Sequence, residues 1–307
     1  MKLYINSAKE NWVVDRFIEE WNKYNFKQSK SLLFGNKLVW LIAPWTWKRI
    51  PIKYLNKNKV LCTIHHIDED KFTKQEQEEF QDRDQYVDAY HVISDTTFEQ
   101  VNKLTTKPVH KIPFWVNQNI WFTIENKDLL RKKYNIAHNS FLVGSFQRDT
   151  EGDDLISPKL SKGPDQFVKI LLELRKKQDN LLVILTGKRR NYVIEELTKH
   201  SIDFKYYEMV SFGEINELYN ILDLYIVASR YEGGPQSILE CGIIKTPIIS
   251  TNVGIAKEIL SPESIFNIEN FHRSIPNIEI AYKNSEKFII PEGFNEFNKL
   301  LNKIYEN

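Results

Sequence analysis

The chain has 307 residues, long enough for two α/β domains of ordinary size. Hydrophobic residues make up 42% and charged residues 27%, an ordinary soluble globular balance, and the formal charge of +1 argues against a nucleic-acid partner. Cys62 and Cys241 sit in apolar surroundings and read as core residues of a reducing compartment, not as a disulfide or metal framework. No stretch nears the length needed to span a bilayer, and the first residues lack the apolar run of a signal peptide, so a cytoplasmic protein is expected.

Taken in order, residues 2–6 read as a first strand. Trp12, Val13, Phe17, Ile18 and Trp21 recur at helical spacing, which predicts a helix over about 9–24. The loop between them, 7–11, has no glycine. Residues 38–42 form an apolar strand, followed by Trp45 and Trp47 among Lys48, Arg49, Lys53, Lys57 and Lys59. A Trp-rich basic loop suits an anionic membrane surface, and tryptophans packed in a core beside solvated lysines give the same pattern. Residues 60–64 make a buried-type strand that delivers His65 and His66 to its C-terminal end, where open α/β sheets bind ligands.

Asp68-Glu69-Asp70 and Asp82-Arg83-Asp84 each spell D-x-D, a spacing that can hold a divalent metal. Both lie in an acidic, Gln-rich helical stretch and read as a solvated face. A strand at 89–93 leads to Ser94, which caps the next helix, and 108–113 gives another short strand. Residues 123–140 are charged and strand-poor and read as a linker. A second sheet begins at 141–146 and leads to Arg148, then to Lys162 before Gly163-Pro164. Residues 181–185 and 204–210 read as strands, with helices near 192–200 and 215–222. Residues 262–293 show no readable period, and 294–305 has helical apolar spacing.

The most informative stretch is 224–254. An apolar strand, 224–228, runs into a turn holding Arg230, Tyr231, Glu232, Gly233 and Gly234. Pro235 suits a helix start, since it has no N–H to lose there. Ser237, Ile238, Leu239, Glu240 and Ile243 read as that helix, and 247–250 as the next strand, a βαβ unit of a parallel sheet. Backbone N–H groups around Gly233, Gly234 and Gln236 point with the positive end of the helix dipole and suit phosphates. Carboxylates suit sugar hydroxyls, so Glu232 and Glu240 around this helix start describe a site for a nucleotide-activated sugar. Two glutamates alone would more often be solvated; the Gly-Gly-Pro turn after an apolar strand favours the site.

The run Glu232-Gly-Gly-Pro-Gln-Ser-Ile-Leu-Glu240, followed by Pro247-Ile-Ile-Ser and Val253-Gly254, resembles the signature of the retaining glycosyltransferases of family four, the group 1 glycosyltransferases. The resemblance implies the GT-B fold, α/β, with two Rossmann-like domains whose parallel sheets face a central cleft. Residues 1–123 would form the acceptor-side domain and 124–307 the donor domain, with the helix at 294–305 returning to the first. It implies that Arg148 and Lys162 bind the donor diphosphate, Glu240 the ribose and Glu232 the transferred sugar. His65 would meet the donor sugar or the reaction centre, and Gly233, Gly234, Pro235, Gln236 and Ser237 would line the donor site. Fixed cations are also the right chemistry for the negative charge that develops on a leaving diphosphate.

The implied reaction is transfer from a nucleotide-diphosphate sugar, with retained configuration and without a metal or other cofactor. The acceptor would be a glycan or lipid-linked molecule of bacterial-type polysaccharide synthesis, reached by peripheral contact with the inner face of the membrane. The chain departs from the family pattern in the glycine-free loop 7–11 and in Trp115 and Asn117, which stand where the family has glycine and aspartate. A sugar-nucleotide epimerase would use the same donor site, and the departures suit a non-catalytic sugar-nucleotide-binding protein. A carboxylate pair also serves glycoside hydrolysis, but the helix-dipole site favours the transferase. No G-x-G-x-x-G follows a predicted strand, which argues against a nicotinamide oxidoreductase.

Overall fold

Short β-branched and aromatic runs build two parallel sheets. The computed structural model describes residues 2–10, 13–29, 33 and 35–306. Contacts divide it into a first unit, Met1–Trp115 with Ile290–Asn307, and a second, Val116–Ile289.

The first sheet holds β1 (Leu3–Ile5), β2 (Leu38–Leu41), β3 (Lys59–Ile64), β4 (Ala89–Val92) and β5 (Val109–Lys111), side by side and all parallel. A parallel bridge between Leu3 and Ser29 extends it beyond β1. The chain therefore leaves β1 on one side and returns to β2 on the other, which makes a switch point between these two strands.

Alternation along β2 sorts the packing. Val39 and Leu41 face a core with Trp47, Leu55, Phe80, Tyr90 and Val101. Trp40 turns the other way, with its ring centroid 5.5 Å from Trp21 and 5.3 Å from Phe297. Phe17, Phe114, Trp115 and Phe294 complete this aromatic layer. The helix Asn295–Glu306 supplies Phe297, Leu300, Leu301 and Ile304 at helical spacing, so the last helix of the chain covers the sheet of the first unit.

The second unit starts earlier than the composition suggested. Val116 N–H already donates to Phe288 O at 2.8 Å, and Phe122 N–H to Asn216 Oδ1 at 3.1 Å. The boundary thus falls at 115/116 and not at 123/124. Nor is 123–140 a linker: it contains the helix Lys127–Lys133. Arg131 is buried and donates to His138 O, Ser140 O, Ile221 O and the Asp223 carboxylate. A buried guanidinium is stable where acceptors such as these meet it.

The second sheet contains β6 (Phe141–Ser145), β7 (Leu181–Thr186), β8 (Phe204–Tyr207), β9 (Leu224–Val227), β10 (Ile248–Thr251) and β11 (Ile265–Phe266). Their order is β11-β10-β9-β6-β7-β8, all parallel. Val143, Phe167, Leu171, Val183, Leu185 and Ile226 sit at the centre of its core. Strand β11 and the helix Ile278–Ser285 lie in the stretch without a readable period. Among the described residues no helix is long and apolar enough to cross a membrane.

Candidate functional site

Strands β6 and β9 are neighbours, with β7 and β8 on one side and β10 and β11 on the other. The winding reverses between them, and the loops leaving their C-terminal ends frame the crevice expected at such a point. These two loops are joined. Arg230 and Tyr231 N–H both donate to Ser161 O, at 2.8 and 3.1 Å. Gln147 Nε2 donates to Lys162 O and Gln166 Nε2 to Ala228 O, each at 2.9 Å. Gly163 has φ +62°, and a Cβ there would stand 1.7 Å from Ala228 O, so only glycine permits this approach. Arg230 grips Asp165 through two bonds of 2.7 and 2.6 Å.

The joined loops bring Lys162 and Glu232 together. Lys162 Nζ donates to Glu232 Oε1, which also accepts from Ser229 Oγ at 3.3 Å. Only 16% of the Lys162 side chain and 11% of the Glu232 side chain are exposed. Lys162 lies in the turn Leu160–Lys162, just ahead of the helix Pro164–Arg175. Pro235 caps the helix Gln236–Ile244, so Gly233, Gly234, Gln236 and Ser237 surround its N-terminus. Gly254, at φ +53°, lets the chain after β10 pass this turn: a Cβ would meet Gly233 O at 2.7 Å.

Glu240 sits one turn into that helix and is 6% exposed, a buried carboxylate and not an open acidic face. Tyr219 OH donates to its Oε2 at 3.0 Å. Tyr225 OH accepts from Phe146 N–H at 3.0 Å and is hydrogen-bonded to Ser237, so one phenol ties the loop after β6 to the helix start. Burial holds both tyrosine hydroxyls well above the ordinary phenol pKa, and they stay protonated.

Arg148 is half-buried in the loop after β6. Its neighbour Asp149 forms an ion pair that the sequence reading missed: Arg190 Nε lies 2.8 Å from Asp149 Oδ2, and Arg190 is fully buried. Arg190 also donates to Ser145 O and Thr186 O, at the ends of β6 and β7. Burial raises the Asp149 carboxyl, with Arg190 opposing it. The available signal was Arg189-Arg190 directly after an apolar strand.

In the first unit, His65 Nε2 donates to Ile42 O at 2.8 Å, since a carbonyl only accepts. Its ring stacks on Phe114 at 5.9 Å and neighbours Trp45 at 5.9 Å. Burial lowers its pKa to about 4, so the ring is neutral near pH 7 and Nδ1 is an acceptor. His66 is exposed. Asn6, at the end of β1, donates to Ala43 O and Thr46 Oγ1 at 2.8 Å each. That amide braces the strand exits beside the glycine-free loop; Asn11 of the loop and Trp12 of the predicted helix lie outside the described residues. Of the two readings left open for the tryptophans, Trp47 takes the packed one, buried against Tyr86, while Trp45 is 50% exposed. Asp84 of the second D-x-D accepts from Tyr90 OH and Thr105 Oγ1, at 2.9 and 2.7 Å, and so braces the fold instead of standing on a solvated face.

Residues 156–294 match the family described as glycosyl transferases group 1. The probable sucrose-phosphate synthase of Thermosipho melanesiensis is 24% identical over 226 residues, covering 72% of this chain. The chain spans about half, 48%, of that relative's length. Among solved structures, Anabaena HepE in complex with UDP and glucose superposes with TM-score 0.76 at 12% identity, covering 98% of this chain and 99% of HepE. Sucrose-phosphate synthase from Thermosynechococcus elongatus gives TM-score 0.69 at 13% identity, covering 95% of this chain and 78% of that one. The two parallel-sheet units are those of the GT-B fold. The matched segment, which holds Lys162, Glu232 and Glu240, is similar to the group 1 glycosyltransferases.

Proposed function

We propose that this chain is a glycosyltransferase that moves a sugar from a UDP-sugar to a glycan or lipid-linked acceptor, with retention of configuration and without a metal. The family match supports transfer, and HepE, solved with UDP and with UDP-glucose, supports uridine as the nucleotide. The observation that carries the reading is the Lys162–Glu232 pair at the β6/β9 switch point, beside the start of the helix Gln236–Ile244.

In this reading Lys162 and Arg148 hold the diphosphate, with the helix N-terminus adding its dipole. Glu232, fixed by Lys162 and Ser229, takes hydroxyls of the sugar, and Glu240 takes the ribose. The bond from the anomeric carbon to the phosphate oxygen breaks, and a bond to the acceptor oxygen forms on the same face. The acceptor proton passes to the departing diphosphate, whose charge the two cations stabilise. Neutral His65 is the first unit's candidate contact for a sugar hydroxyl, through Nδ1.

Trp45 and Ile52, both half exposed, and the exposed Lys53 and Lys57 give the chain a peripheral contact with an anionic membrane. Thermal unfolding against a panel of nucleotide-sugars tests the donor assignment, because a ligand of the native state raises the midpoint. UDP-sugars should raise it and nicotinamide dinucleotides should not; a flat response to every UDP compound would sink the reading. Transfer should persist in excess chelator; complete loss restored by magnesium or manganese would contradict the metal-free reaction.

A further inference from the structure

Glu240 is buried in the second unit, and its carboxylate is set by groups outside the motif that names it. Tyr219, 2% exposed on the helix Phe212–Ile221, gives its only proton to Glu240 Oε2 at 3.0 Å. The ring that carries this hydroxyl is itself fixed. Phe146 packs on it at 4.7 Å, Tyr225 at 5.3 Å and Trp121 at 5.8 Å. The Tyr219 backbone is held as well, its carbonyl accepting from Thr246 Oγ1 at 3.0 Å. A carboxylate on a two-carbon stem turns freely unless something stops it. Here the stop is a rigid, protonated phenol in a packed aromatic cluster.

We propose that Tyr219 is a positioning residue for nucleotide selection: its hydroxyl fixes the rotation of the Glu240 carboxylate so that the ribose hydroxyls meet a preset acceptor. The proposal rests on the reading of Glu240 as the ribose contact. It goes beyond that reading by placing the control of ribose recognition on the helix Phe212–Ile221. Phe146 carries the link further. It touches Tyr219 through its ring and Tyr225 through its N–H, and it lies two residues before Arg148. The diphosphate loop and the ribose carboxylate thus share one aromatic support.

The test is calorimetric titration of UDP, 2′-deoxy-UDP and 3′-deoxy-UDP into the parent chain, Tyr219→Phe, Glu240→Gln and the double variant. Tyr219→Phe removes one oxygen and keeps the ring, so its packing survives. A ribose hydroxyl bonded to a carboxylate is worth about tenfold or more in affinity. The parent should therefore prefer UDP over at least one deoxy analogue by about that factor. Tyr219→Phe should cut the preference to below about threefold, with little loss in affinity for that deoxy analogue. In the Glu240→Gln background the same change should have no further effect on the preference, because Tyr219 acts through Glu240.

A parent that prefers UDP strongly, with a Tyr219→Phe variant that keeps the full preference, overturns the positioning role while leaving Glu240 at the ribose. A parent that does not distinguish UDP from either analogue overturns the ribose assignment and the proposal with it. A Tyr219→Phe variant that weakens UDP and both analogues equally assigns Tyr219 to packing alone, again against the proposal.

Discussion

At the strand ends of the second sheet the side chains are ionic: Lys162 meets Glu232, and Arg190 meets Asp149 beside Arg148. At the ends of β1 and β3 in the first sheet they are neutral. Asn6 spans Ala43 and Thr46, and His65 is uncharged between Phe114 and Trp45. The same architectural position thus carries two chemistries. Charges held mostly out of water survive only in pairs, and a site built of such pairs is suited to an anion that can share a cation. Rings and amides suit an uncharged polar molecule. Under the proposed function, the ionic ends would take the donor's diphosphate and the neutral ends an uncharged acceptor.

The largest effect should come from breaking the ionic end. Lys162→Met leaves Glu232 with its charge and without its partner in a mostly dry place, a loss of about 3–5 kcal/mol of stability by analogy with other buried pairs. Urea titration measures it, and Lys162→Met combined with Glu232→Leu should recover much of the loss. Equal stability of parent and Lys162→Met would show a solvated pair of no consequence. Next in size, Glu240→Ala should weaken UDP binding by about 1.5–3 kcal/mol, the value of a hydrogen bond to a charged group. Unchanged affinity in calorimetry would make Glu240 a core residue only.

The neutral end should betray itself through pH.

Results

Sequence analysis

The chain has 307 residues, long enough for two α/β domains of ordinary size. Hydrophobic residues make up 42% and charged residues 27%, an ordinary soluble globular balance, and the formal charge of +1 argues against a nucleic-acid partner. Cys62 and Cys241 sit in apolar surroundings and read as core residues of a reducing compartment, not as a disulfide or metal framework. No stretch nears the length needed to span a bilayer, and the first residues lack the apolar run of a signal peptide, so a cytoplasmic protein is expected.

Taken in order, residues 2–6 read as a first strand. Trp12, Val13, Phe17, Ile18 and Trp21 recur at helical spacing, which predicts a helix over about 9–24. The loop between them, 7–11, has no glycine. Residues 38–42 form an apolar strand, followed by Trp45 and Trp47 among Lys48, Arg49, Lys53, Lys57 and Lys59. A Trp-rich basic loop suits an anionic membrane surface, and tryptophans packed in a core beside solvated lysines give the same pattern. Residues 60–64 make a buried-type strand that delivers His65 and His66 to its C-terminal end, where open α/β sheets bind ligands.

Asp68-Glu69-Asp70 and Asp82-Arg83-Asp84 each spell D-x-D, a spacing that can hold a divalent metal. Both lie in an acidic, Gln-rich helical stretch and read as a solvated face. A strand at 89–93 leads to Ser94, which caps the next helix, and 108–113 gives another short strand. Residues 123–140 are charged and strand-poor and read as a linker. A second sheet begins at 141–146 and leads to Arg148, then to Lys162 before Gly163-Pro164. Residues 181–185 and 204–210 read as strands, with helices near 192–200 and 215–222. Residues 262–293 show no readable period, and 294–305 has helical apolar spacing.

The most informative stretch is 224–254. An apolar strand, 224–228, runs into a turn holding Arg230, Tyr231, Glu232, Gly233 and Gly234. Pro235 suits a helix start, since it has no N–H to lose there. Ser237, Ile238, Leu239, Glu240 and Ile243 read as that helix, and 247–250 as the next strand, a βαβ unit of a parallel sheet. Backbone N–H groups around Gly233, Gly234 and Gln236 point with the positive end of the helix dipole and suit phosphates. Carboxylates suit sugar hydroxyls, so Glu232 and Glu240 around this helix start describe a site for a nucleotide-activated sugar. Two glutamates alone would more often be solvated; the Gly-Gly-Pro turn after an apolar strand favours the site.

The run Glu232-Gly-Gly-Pro-Gln-Ser-Ile-Leu-Glu240, followed by Pro247-Ile-Ile-Ser and Val253-Gly254, resembles the signature of the retaining glycosyltransferases of family four, the group 1 glycosyltransferases. The resemblance implies the GT-B fold, α/β, with two Rossmann-like domains whose parallel sheets face a central cleft. Residues 1–123 would form the acceptor-side domain and 124–307 the donor domain, with the helix at 294–305 returning to the first. It implies that Arg148 and Lys162 bind the donor diphosphate, Glu240 the ribose and Glu232 the transferred sugar. His65 would meet the donor sugar or the reaction centre, and Gly233, Gly234, Pro235, Gln236 and Ser237 would line the donor site. Fixed cations are also the right chemistry for the negative charge that develops on a leaving diphosphate.

The implied reaction is transfer from a nucleotide-diphosphate sugar, with retained configuration and without a metal or other cofactor. The acceptor would be a glycan or lipid-linked molecule of bacterial-type polysaccharide synthesis, reached by peripheral contact with the inner face of the membrane. The chain departs from the family pattern in the glycine-free loop 7–11 and in Trp115 and Asn117, which stand where the family has glycine and aspartate. A sugar-nucleotide epimerase would use the same donor site, and the departures suit a non-catalytic sugar-nucleotide-binding protein. A carboxylate pair also serves glycoside hydrolysis, but the helix-dipole site favours the transferase. No G-x-G-x-x-G follows a predicted strand, which argues against a nicotinamide oxidoreductase.

Overall fold

Short β-branched and aromatic runs build two parallel sheets. The computed structural model describes residues 2–10, 13–29, 33 and 35–306. It divides into a first unit, Met1–Trp115 with Ile290–Asn307, and a second, Val116–Ile289.

The first sheet holds β1 (Leu3–Ile5), β2 (Leu38–Leu41), β3 (Lys59–Ile64), β4 (Ala89–Val92) and β5 (Val109–Lys111), side by side and all parallel. A parallel bridge between Leu3 and Ser29 extends it beyond β1. The chain therefore leaves β1 on one side and returns to β2 on the other, which makes a switch point between these two strands.

Alternation along β2 sorts the packing. Val39 and Leu41 face a core with Trp47, Leu55, Phe80, Tyr90 and Val101. Trp40 turns the other way, with its ring centroid 5.5 Å from Trp21 and 5.3 Å from Phe297. Phe17, Phe114, Trp115 and Phe294 complete this aromatic layer. The helix Asn295–Glu306 supplies Phe297, Leu300, Leu301 and Ile304 at helical spacing, so this late segment of the chain covers the sheet of the first unit.

The second unit starts earlier than the composition suggested. Val116 N–H already donates to Phe288 O at 2.8 Å, and Phe122 N–H to Asn216 Oδ1 at 3.1 Å. The boundary thus falls at 115/116 and not at 123/124. Nor is 123–140 a linker: it contains the helix Lys127–Lys133. Arg131 is buried and donates to His138 O, Ser140 O, Ile221 O and the Asp223 carboxylate. A buried guanidinium is stable where acceptors such as these meet it.

The second sheet contains β6 (Phe141–Ser145), β7 (Leu181–Thr186), β8 (Phe204–Tyr207), β9 (Leu224–Val227), β10 (Ile248–Thr251) and β11 (Ile265–Phe266). Their order is β11-β10-β9-β6-β7-β8, all parallel. Val143, Phe167, Leu171, Val183, Leu185 and Ile226 belong to its core. Strand β11 and the helix Ile278–Ser285 lie in the stretch without a readable period. Among the described residues no helix is long and apolar enough to cross a membrane.

Candidate functional site

Strands β6 and β9 are neighbours, with β7 and β8 on one side and β10 and β11 on the other. The winding reverses between them, and the loops leaving their C-terminal ends frame the crevice expected at such a point. These two loops are joined. Arg230 and Tyr231 N–H both donate to Ser161 O, at 2.8 and 3.1 Å. Gln147 Nε2 donates to Lys162 O and Gln166 Nε2 to Ala228 O, each at 2.9 Å. Gly163 has φ +62°, and a Cβ there would stand 1.7 Å from Ala228 O, so only glycine permits this approach. Arg230 grips Asp165 through two bonds of 2.7 and 2.6 Å.

The joined loops bring Lys162 and Glu232 together. Lys162 Nζ donates to Glu232 Oε1, which also accepts from Ser229 Oγ at 3.3 Å. Only 16% of the Lys162 side chain and 11% of the Glu232 side chain are exposed. Lys162 lies in the turn Leu160–Lys162, just ahead of the helix Pro164–Arg175. Pro235 caps the helix Gln236–Ile244, so Gly233, Gly234, Gln236 and Ser237 surround its N-terminus. Gly254, at φ +53°, lets the chain after β10 pass this turn: a Cβ would meet Gly233 O at 2.7 Å.

Glu240 sits about one turn into that helix and is 6% exposed, a buried carboxylate and not an open acidic face. Tyr219 OH donates to its Oε2 at 3.0 Å. Tyr225 OH accepts from Phe146 N–H at 3.0 Å and is hydrogen-bonded to Ser237, so one phenol ties the loop after β6 to the helix start. Burial holds both tyrosine hydroxyls well above the ordinary phenol pKa, and they stay protonated.

Arg148 is half-buried in the loop after β6. Its neighbour Asp149 forms an ion pair that the sequence reading missed: Arg190 Nε lies 2.8 Å from Asp149 Oδ2, and Arg190 is fully buried. Arg190 also donates to Ser145 O and Thr186 O, at the ends of β6 and β7. Burial raises the Asp149 carboxyl, with Arg190 opposing it. The available signal was Arg189-Arg190 soon after an apolar strand.

In the first unit, His65 Nε2 donates to Ile42 O at 2.8 Å, since a carbonyl only accepts. Its ring stacks on Phe114 at 5.9 Å and neighbours Trp45 at 5.9 Å. Burial lowers its pKa to about 4, so the ring is neutral near pH 7 and Nδ1 is an acceptor. His66 is exposed. Asn6, at the end of β1, donates to Ala43 O and Thr46 Oγ1 at 2.8 Å each. That amide braces the strand exits beside the glycine-free loop; Asn11 of the loop and Trp12 of the predicted helix lie outside the described residues. Of the two readings left open for the tryptophans, Trp47 takes the packed one, buried against Tyr86, while Trp45 is 50% exposed. Asp84 of the second D-x-D accepts from Tyr90 OH and Thr105 Oγ1, at 2.9 and 2.7 Å, and so braces the fold instead of standing on a solvated face.

Residues 156–294 match the family described as glycosyl transferases group 1. The probable sucrose-phosphate synthase of Thermosipho melanesiensis is 24% identical over 226 residues, covering 72% of this chain. The chain spans about half, 48%, of that relative's length. Among solved structures, Anabaena HepE in complex with UDP and glucose superposes with TM-score 0.76 at 12% identity, covering 98% of this chain and 99% of HepE. Sucrose-phosphate synthase from Thermosynechococcus elongatus gives TM-score 0.69 at 13% identity, covering 95% of this chain and 78% of that one. The two parallel-sheet units are those of the GT-B fold. The matched segment, which holds Lys162, Glu232 and Glu240, is similar to the group 1 glycosyltransferases.

Proposed function

We propose that this chain is a glycosyltransferase that moves a sugar from a UDP-sugar to a glycan or lipid-linked acceptor, with retention of configuration and without a metal. The family match supports transfer, and HepE, solved with UDP and with UDP-glucose, supports uridine as the nucleoside. The observation that carries the reading is the Lys162–Glu232 pair at the β6/β9 switch point, beside the start of the helix Gln236–Ile244.

In this reading Lys162 and Arg148 hold the diphosphate, with the helix N-terminus adding its dipole. Glu232, fixed by Lys162 and Ser229, takes hydroxyls of the sugar, and Glu240 takes the ribose. The bond from the anomeric carbon to the phosphate oxygen breaks, and a bond to the acceptor oxygen forms on the same face. The acceptor proton passes to the departing diphosphate, whose charge the two cations stabilise. Neutral His65 is the first unit's candidate contact for a sugar hydroxyl, through Nδ1.

Trp45 and Ile52, both half exposed, and the exposed Lys53 and Lys57 give the chain a peripheral contact with an anionic membrane. Thermal unfolding against a panel of nucleotide-sugars tests the donor assignment, because a ligand of the native state raises the midpoint. UDP-sugars should raise it and nicotinamide dinucleotides should not; a flat response to every UDP compound would sink the reading. Transfer should persist in excess chelator; complete loss restored by magnesium or manganese would contradict the metal-free reaction.

A further inference from the structure

Glu240 is buried in the second unit, and its carboxylate is set by a group outside the motif that contains it. Tyr219, 2% exposed on the helix Phe212–Ile221, gives its hydroxyl proton to Glu240 Oε2 at 3.0 Å. The ring that carries this hydroxyl is itself fixed. Phe146 packs on it at 4.7 Å, Tyr225 at 5.3 Å and Trp121 at 5.8 Å. The Tyr219 backbone is held as well, its carbonyl accepting from Thr246 Oγ1 at 3.0 Å. A glutamate carboxylate turns about its last bond unless something stops it. Here the stop is a rigid, protonated phenol in a packed aromatic cluster.

We propose that Tyr219 is a positioning residue for nucleotide selection: its hydroxyl fixes the rotation of the Glu240 carboxylate so that the ribose hydroxyls meet a preset acceptor. The proposal rests on the reading of Glu240 as the ribose contact. It goes beyond that reading by placing the control of ribose recognition on the helix Phe212–Ile221. Phe146 carries the link further. It touches Tyr219 through its ring and Tyr225 through its N–H, and it shares a loop with Arg148. The diphosphate loop and the ribose carboxylate thus share one aromatic support.

The test is calorimetric titration of UDP, 2′-deoxy-UDP and 3′-deoxy-UDP into the parent chain, Tyr219→Phe, Glu240→Gln and the double variant. Tyr219→Phe removes one oxygen and keeps the ring, so its packing survives. A ribose hydroxyl bonded to a carboxylate is worth about tenfold or more in affinity. The parent should therefore prefer UDP over at least one deoxy analogue by that factor. Tyr219→Phe should cut the preference to below about threefold, with little loss in affinity for that deoxy analogue. In the Glu240→Gln background the same change should have no further effect on the preference, because Tyr219 acts through Glu240.

A parent that prefers UDP strongly, with a Tyr219→Phe variant that keeps the full preference, overturns the positioning role while leaving Glu240 at the ribose. A parent that does not distinguish UDP from either analogue overturns the ribose assignment and the proposal with it. A Tyr219→Phe variant that weakens UDP and both analogues equally assigns Tyr219 to packing alone, again against the proposal.

Discussion

At the strand ends of the second sheet the side chains are ionic: Lys162 meets Glu232, and Arg190 meets Asp149 beside Arg148. At the ends of β1 and β3 in the first sheet they are neutral. Asn6 spans Ala43 and Thr46, and His65 is uncharged beside Phe114 and Trp45. The same architectural position thus carries two chemistries. Charges held mostly out of water survive in pairs, and a site built of such pairs is suited to an anion that can share a cation. Rings and amides suit an uncharged polar molecule. Under the proposed function, the ionic ends would take the donor's diphosphate and the neutral ends an uncharged acceptor.

The largest effect should come from breaking the ionic end. Lys162→Met leaves Glu232 with its charge and without this partner in a mostly dry place, a loss of about 3–5 kcal/mol of stability by analogy with other buried pairs. Urea titration measures it, and Lys162→Met combined with Glu232→Leu should recover much of the loss. Equal stability of parent and Lys162→Met would show a solvated pair of no consequence. Next in size, Glu240→Ala should weaken UDP binding by about 1.5–3 kcal/mol, the value of a hydrogen bond to a charged group. Unchanged affinity in calorimetry would make Glu240 a core residue only.

The neutral end should show itself through pH. Burial lowers His91 to about 3 and His65 to about 4, both below the unfolded histidine value of roughly 6.5. His91 closes a buried chain in which Trp40 Nε1 donates to Thr63 Oγ1, Thr63 to His91 Nδ1, and His91 Nε2 to Ile112 O. Between the folded and unfolded pKa values the unfolded chain binds more protons. The stability of neutral histidine is therefore complete above about pH 6.5 and falls as pH drops toward 3. Each of the two adds a slope approaching 1.4 kcal/mol per pH unit, on the order of what linkage allows for one proton. Urea midpoints between pH 7 and 5 check it; a His91→Asn variant with the parent's slope would remove His91 from the explanation.

The smallest effect belongs to the basic surface of the first unit. Lys48 and Lys59 already face Glu79 and Asp88, and Trp47 is buried, so Trp45, Arg49, Ile52, Lys53 and Lys57 remain for a membrane. Each cation near anionic lipid contributes on the order of 1 kcal/mol. Sedimentation with phosphatidylserine vesicles should show weak binding that salt and Trp45→Ala both reduce. No binding at low salt would leave a soluble acceptor.

Much of this was legible before the structure, and particular residues show why the rest was not. The run from Leu224 to Glu240 combines an apolar strand, a Gly-Gly-Pro turn and a helix, and each part has a local cause. Strand β11 has two residues and the Leu3–Ser29 bridge one pair, too short for any period to show. Burial of Arg131 and Arg190 left no local sign in the sequence, because a buried guanidinium depends on acceptors distant in sequence, such as Asp223 and Ser145. Tyr219 carries no motif at all; its role follows from Glu240 lying within reach across two helices.

The central claim is that Lys162 and Glu232 divide one ligand, phosphate to the lysine and sugar to the glutamate. Calorimetric affinities of UDP and of the tightest-binding UDP-sugar, for the parent and for Glu232→Gln, test it most directly. The expected result is a variant that holds UDP at least as tightly as the parent, since Lys162 no longer shares its charge with Glu232, while the extra affinity contributed by the sugar is lost. Equal weakening of UDP and UDP-sugar would contradict the division and return Glu232 to the role of a structural partner for Lys162.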